Sequence, residues 1–166
     1  IVFGANLKRI GKMAFFNSGL QSIHIPSGVD SIGENCFGEC KSLGEVIFEE
    51  DSNLKQIGEG VFFNSGLQSI RIPAKVESIG ENCFSECKSL GEVIFPENSN
   101  LKQIGIRAFC KTGLKSMRIP SGVESIGKEC FYGCKGLDEM TFNGNVNLKQ
   151  IGLGVFFKSG LHAKDV

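Results

Sequence analysis

Apolar residues return along this chain at fixed spacings. Leu20, Ile23 and Ile25 are followed, after a polar break, by Val29 and Ile32, then by Phe37, and the cycle restarts at Leu43. The spacing by two of Ile23 and Ile25 is that of the inward face of a short strand. Val46 and Phe48, Ile70 and Ile72, Val93 and Phe95, Met117 and Ile119, and Met140 and Phe142 repeat it. The pattern predicts one short parallel strand per turn, stacked into a sheet. Pro26, Pro73, Pro96 and Pro120 follow the strand directly; proline donates no N–H and ends the ladder, which leaves a strand of about four residues.

The self-similarity is stronger than a hydrophobic pattern. Leu20 to Ser42 recurs as Leu67 to Ser89 and as Leu114 to Gly136, and the intervening Leu43 to Gly66, Leu90 to Gly113 and Leu137 to Gly160 form a second series. A 23-residue unit thus alternates with a 24-residue one, and the true repeat is the 47-residue double unit. The expected organisation is a single domain over 1–166: a partial coil 1–19, full coils 20–42, 43–66, 67–89, 90–113, 114–136 and 137–160, and a divergent or truncated end at 161–166. Such a chain reads as a right-handed solenoid of seven turns, roughly 35 Å long at ~4.8 Å per turn.

Two further columns run through it. A Gly follows the second inward Ile at 33, 58, 80, 105, 127 and 152, which implies either a positive φ or close packing of coils. Phe15, Phe37, Phe62, Phe84, Phe109, Phe131 and Phe156 form a second column, expected to plug the core. The segment around it, such as Glu34 to Cys40, is too short for a stable helix and is expected to make a single helical or 3₁₀ turn.

Composition adds little beyond the repeat. Twenty-two Gly, 14 Phe, one Tyr and no Trp reflect the repeated unit, and 18 basic residues balance 18 acidic ones. That balance argues against nucleic acid or an anionic membrane surface as a partner. No run approaches the ~20 apolar residues of a spanning helix, so this segment is not expected to insert in a membrane. The chain opens at Ile1 without a Met, as a trimmed chain would, so its lack of a leader says little about compartment.

The aligned pattern LxxIxIPxxVxxIGxxxFxxCxxL resembles the BspA-like class of leucine-rich repeats, found in bacterial surface proteins and expanded in some protozoan parasites. The resemblance covers essentially the whole chain in six consecutive copies. It implies a leucine-rich repeat solenoid at the cell surface or secreted, serving adhesion or protein binding, with a protein or glycan ligand that it does not identify. Two departures stand out. The 24-residue units carry Ser18, Ser65, Thr112 and Ser159 near the position where the others have Cys, and the final LHAKDV puts Lys164 where a core Ile belongs.

Seven Cys include three C-x-x-x-C pairs, Cys36 and Cys40, Cys83 and Cys87, and Cys130 and Cys134. Cys36, Cys83 and Cys130 align with Ala14, Val61, Ala108 and Val155, the behaviour of a small core residue. Cys40, Cys87 and Cys134 take the turn position where leucine-rich repeats use Asn or Cys to satisfy loop carbonyls. Buried free thiols are the leading reading, with a disulfide inside each pair or a zinc site as alternatives. His24 and His162 are the only imidazoles, and no nucleophile with a partnered base, phosphate loop or carboxylate pair stands apart from the repeat. The chain therefore reads as non-catalytic, without metal or cofactor. Glu45, Glu92 and Glu139 align two coils apart, as a solvated acidic row or as a cation site.

Surfaces are the better candidates. Between the inward strand residues lie Ser22 and His24, Glu45 and Ile47, Ser69 and Arg71, Glu92 and Ile94, Ser116 and Arg118, and Glu139 and Thr141. The stripe His24, Ile47, Arg71, Ile94, Arg118 is either an ordinary exposed sheet face or a ligand surface in which guanidinium groups meet carboxylate or aromatic partners. A second candidate is the residue after each core Phe, in order Phe16, Gly38, Phe63, Ser85, Cys110, Tyr132 and Phe157, where large aromatics fall mostly in alternate coils. These aromatics form an outward apolar ridge or tuck over the neighbouring coil. Neither end has a polar capping unit, which implies a protein that continues beyond this chain or a homo-oligomer stacked end to end.

Overall fold

The computed structural model describes residues 3, 4, 6–145 and 147–161. Ile1, His162 and Lys164, named above, lie outside them. The described chain is a parallel β-solenoid of thirteen short strands: β1 (Arg9–Ile10), β2 (Ser22–Ile25), β3 (Ser31–Ile32), β4 (Glu45–Phe48), β5 (Gln56–Ile57), β6 (Ser69–Arg71), β7 (Ser78–Ile79), β8 (Glu92–Ile94), β9 (Gln103–Ile104), β10 (Ser116–Ile119), β11 (Ser125–Ile126), β12 (Glu139–Phe142) and β13 (Gln150–Ile151). Every pairing is parallel and links one coil to the next.

Each full coil holds two strands, where the hydrophobic pattern predicted one. The longer strand carries the predicted inward pair. The second, two residues long, ends on the inward Ile that precedes the Gly column, and these strands form a sheet in the order β13-β11-β9-β7-β5. An x-Ile dipeptide is too short to show any period, so its inward Ile was visible but its pairing was not. The longer strands pair two by two, β2 with β4, β6 with β8, and β10 with β12. The joins between these pairs fall where a 24-residue coil hands over to a 23-residue one. Across one of them Gln68 N–H reaches Gly44 O at 3.5 Å, against 2.9 Å for the equivalent bonds inside the pairs, Gly44 N–H to Gln21 O and Gly91 N–H to Gln68 O.

The third side of each coil forms no helix among the described residues; it is a run of single i→i−3 turns of the expected 3₁₀ type. Two residues per coil adopt a left-handed conformation here, for example Asn35 and Glu39, Asn82 and Glu86, or Arg107 and Lys111, with φ of 51° to 63°. The alternation splits the donors. Gly60, Phe62 and Asn64 give their N–H to Glu81, Cys83 and Ser85 of the next coil at 2.8 to 2.9 Å, while Phe63 and Ser65 bond back within their own coil to Gly60 and Phe62. A helix would need every N–H directed along its own axis. Here alternate ones are committed sideways, so the turns stay single and do not propagate into a helix.

The core is one continuous column of Leu, Ile, Val, Phe and Cys. The predicted Phe column is its spine: Phe15, Phe37, Phe62, Phe84, Phe109, Phe131 and Phe156 stack with centroids 5.2 to 5.9 Å apart and planes within 13° of parallel. The Gly column answers to close packing. A Cβ on Gly80 would lie 2.6 Å from the carbonyl carbon of Gly58, and one on Gly127 2.5 Å from that of Gly105. Gly58 is the exception, with nothing nearer than 3.8 Å. At that point β3 and β5 are not bridged, so the second sheet is interrupted between the first and second full coils.

Candidate ligand-binding face

Strand alternation decides what the longer strands show to solvent. Ile23, Ile25, Val46, Ile70, Ile72, Val93, Met117 and Ile119 point into the core, so their neighbours point out. Parallel register then lines the outward residues into two rows. Ser22 pairs with Glu45, Ser69 with Glu92 and Ser116 with Glu139; two residues further on, His24 pairs with Ile47, Arg71 with Ile94 and Arg118 with Thr141. His24, Ile47, Arg71 and Arg118 are exposed and Ile94 is half-buried. Ile47 leaves 44% of its surface in water, an apolar group next to His24.

The three nitrogen-bearing side chains of the stripe differ in what holds them. His24 Nε2 lies 3.4 Å from Glu49 Oε1. The Nε of Arg118 donates to Asn143 Oδ1. Arg71 has no hydrogen-bond or ion-pair partner among the described residues. Glu49 also accepts the Ser27 N–H at 2.8 Å, and this bond, with His24 nearby, holds its carboxyl below the usual carboxylate range.

Glu45, Glu92 and Glu139 are exposed and alternate with serines. Among the described residues no three His, Cys, Asp or Glu side chains converge closely enough to hold a metal ion.

The aromatic row is part ridge and part tuck. Phe16 lies across Gly38, where a Cβ would stand 3.1 Å from its ring, yet the side chain is still 39% exposed. Phe63 and Tyr132 are half-buried, and Phe157 is 61% exposed. Tyr132 and Phe157 are 5.8 Å apart, with the Lys158 ammonium 5.6 to 5.7 Å from both rings. Buried Ser85 and Cys110 break the row between Phe63 and Tyr132.

All seven cysteines are free and buried. Cys40, Cys87 and Cys134 each donate Sγ–H to a carbonyl of the preceding coil, Phe15, Phe62 and Phe109, at 3.0 Å. Burial pushes Cys36 up to about 12 and Cys87 to about 11, far from the depressed values of reactive thiols. This arrangement keeps the thiols as packing groups.

Comparison with known proteins agrees with this geometry. A model of the BspA type leucine rich repeat region matches residues 1–89 and 55–165 with six copies. No curated protein sequence matches the chain. Among solved structures, it is similar to the pneumococcal vaccine antigen PcpA, with 26% identity and a TM-score of 0.77 over 82% of this chain and 36% of that one. The T. pallidum leucine rich repeat protein gives 29% identity and a TM-score of 0.77 over 92% of this chain and 70% of that one. A leucine rich cell surface protein from Faecalibacterium prausnitzii A2-165 gives 29% identity and a TM-score of 0.61 over 86% and 45%. The chain spans only about a third of the first of these and under half of the third. With six matched copies covering nearly its whole length, the chain belongs to the BspA-type leucine-rich repeat family.

Proposed function

We propose that this chain is a non-catalytic interaction module of adhesion type, at the cell surface or secreted, that takes a protein ligand along the stripe His24, Ile47, Arg71, Ile94 and Arg118. The observation that carries the reading is the register of β2 with β4 and β6 with β8, which sets exposed His24 and Arg71 beside exposed Ile47 and half-buried Ile94 on one face. Guanidinium groups flanked by apolar surface are enriched where proteins meet. A similar protein bears the description of a leucine rich cell surface protein, which supports the location. The test is a protein and glycan array probed with this chain and with an Arg71→Gln, Arg118→Gln double variant. Ligands of the face lose about tenfold or more in the variant; hits that ignore both substitutions exclude this face, and hits confined to glycans replace the protein ligand.

A second reading is self-association through the aromatic row, favoured by the exposure of Phe16 and Phe157. A chain that stays monomeric by light scattering at millimolar concentration removes it.

A further inference from the structure

The two kinds of coil differ in the loop that leaves the longer strand. Three residues, Pro73 to Lys75, separate Ile72 from Val76, as Pro26 to Gly28 separate Ile25 from Val29. Five residues, Glu49 to Asn53 and Pro96 to Asn100, fill the same interval in the flanking coils. The long loops therefore overhang the short one and leave a cleft of about 610 Å³, with Pro73 and Ala74 on its floor, Phe48 and Glu50 on one side and Pro96 on the other. Arg71 lines the end that opens onto the sheet face.

The repeat itself explains why Arg71 is unpartnered. His24 is met by Glu49, and Arg118 by Asn143, each 25 residues ahead at the start of the next coil's long loop. The same column gives Arg71 a proline, Pro96, which offers no side-chain acceptor. The double unit thus builds three equivalent positions, gives two of their side chains an internal acceptor, and leaves the third, Arg71, free at a cleft that joins apolar Phe48, Pro73, Ala74 and Pro96 to polar Glu49, Glu50 and Asn98.

We propose that the Arg71 cleft is the docking site for an extended peptide segment of a protein partner, with one apolar side chain seated against Pro73, Ala74 and Pro96 and an adjacent carboxylate paired with Arg71. This rests on the reading of the sheet face as a ligand surface and narrows it to one coil. A guanidinium binds a carboxylate through two parallel hydrogen bonds, and Arg71, unpartnered among the described residues, has both its donor edges free for one. Glu49 and Glu50 on the wall disfavour a segment with several acidic residues, so the fit is to a single acid, held at Arg71, next to an apolar residue.

The test is an NMR titration of the isotope-labelled chain with two probes, acetyl-Phe-Glu-amide and acetyl-Phe-Gln-amide. The acidic probe is expected to shift the amides of Ala74 and Asn98 and to bind about tenfold tighter than the neutral one. Arg71→Gln abolishes that preference, Ala74→Phe fills the cleft and weakens both probes, and Lys12→Gln, outside both the cleft and the stripe, changes neither. If Ala74→Phe fails to fold, the comparison of probes on Arg71→Gln still decides. Equal binding of the two probes, or a preference that survives Arg71→Gln, overturns the proposal. Shifts that map to the strands and depend on Arg118 overturn the cleft but leave the face reading standing. No shift with either probe also overturns the cleft, and the array then decides the face.

Discussion

Cys87 and Ser65 meet in the core, one coil apart, with Sγ 3.4 Å from Oγ. The single thiol proton goes to Phe62 O at 3.0 Å, so the Ser65 hydroxyl donates to the sulfur. Ser18 with Cys40 and Thr112 with Cys134 repeat the contact at 3.4 and 3.2 Å, although the Thr112 hydroxyl donates to Phe109 O at 3.0 Å. The alternation of Ser or Thr with Cys, a departure from a uniform repeat, is therefore a complementary contact between the two halves of the double unit.

Replacing one member should cost according to what it strands. Ser65→Ala removes a weak bond and is expected to cost about 0.5–1 kcal/mol, while Cys87→Ala leaves a buried hydroxyl and a small cavity and costs about 1–3 kcal/mol. The double variant should cost less than the sum, because the stranded hydroxyl is gone. Urea denaturation of the four proteins measures this, and strict additivity would dissolve the pair.

Thiol burial sets a pH dependence. Cys36 and Cys87 have folded values raised to about 12 and about 11 from an ordinary 9.0. A raised folded value favours the neutral thiol, so its contribution is complete below pH 9 and is lost as pH climbs from there through 11 to 12. Stability should fall over that window, and Cys36→Ala, which copies Ala14 and Ala108 of the same column, should flatten the fall. In the native protein at pH 8 a thiol reagent should react slowly with all seven cysteines, and rapidly only after unfolding.

Close packing of coils predicts a sharp contrast between glycines. On Gly127 a Cβ would meet backbone of the preceding coil at 2.5 Å, whereas on Gly44 the nearest atom is Gln21 O at 4.0 Å. Gly127→Ala is expected to destabilise by about 1–3 kcal/mol or more. Gly44→Ala should stay within ~0.5 kcal/mol of the parent protein. Thermal melts of the two variants check the difference.

Half of the left-handed turn positions hold residues other than Asn or Gly, which do not favour them. Met13 sits at φ 54° and is exposed. Met13→Gly removes the Cβ penalty and should stabilise by up to ~1 kcal/mol, whereas Met13→Val, β-branched, should destabilise by a similar or larger amount. Denaturation midpoints that rank the three the other way would contradict the backbone geometry of that turn.

Much of this molecule was legible before its coordinates. The inward pairs from Ile23 and Ile25 onward, the Phe column and the outward stripe all follow from a period that the chain states repeatedly. What escaped was carried by features without a period of their own. The second strand is a dipeptide such as Ser78–Ile79. The left-handed column reads Met13, Asn35, Gly60, Asn82, Arg107, Glu129 and Gly154, and only its Asn and Gly members hint at a positive φ. The orphaned state of Arg71 was readable in principle, since Glu49, Pro96 and Asn143 share a column, but only pairing distances show that this column faces the stripe.

The 47-residue double unit also limits how such a gene can change length. Unequal crossing-over that adds or removes a whole double unit restores every junction: Ser over Cys, Phe16-type rings over Gly38-type gaps, and Lys55 beside Glu77, whose ammonium and carboxylate are 3.2 Å apart. An event that removes one coil, such as 43–66, would set Asp30 beside Glu77 and Cys40 beside Cys87. The family of lengths open to this solenoid therefore advances in double steps.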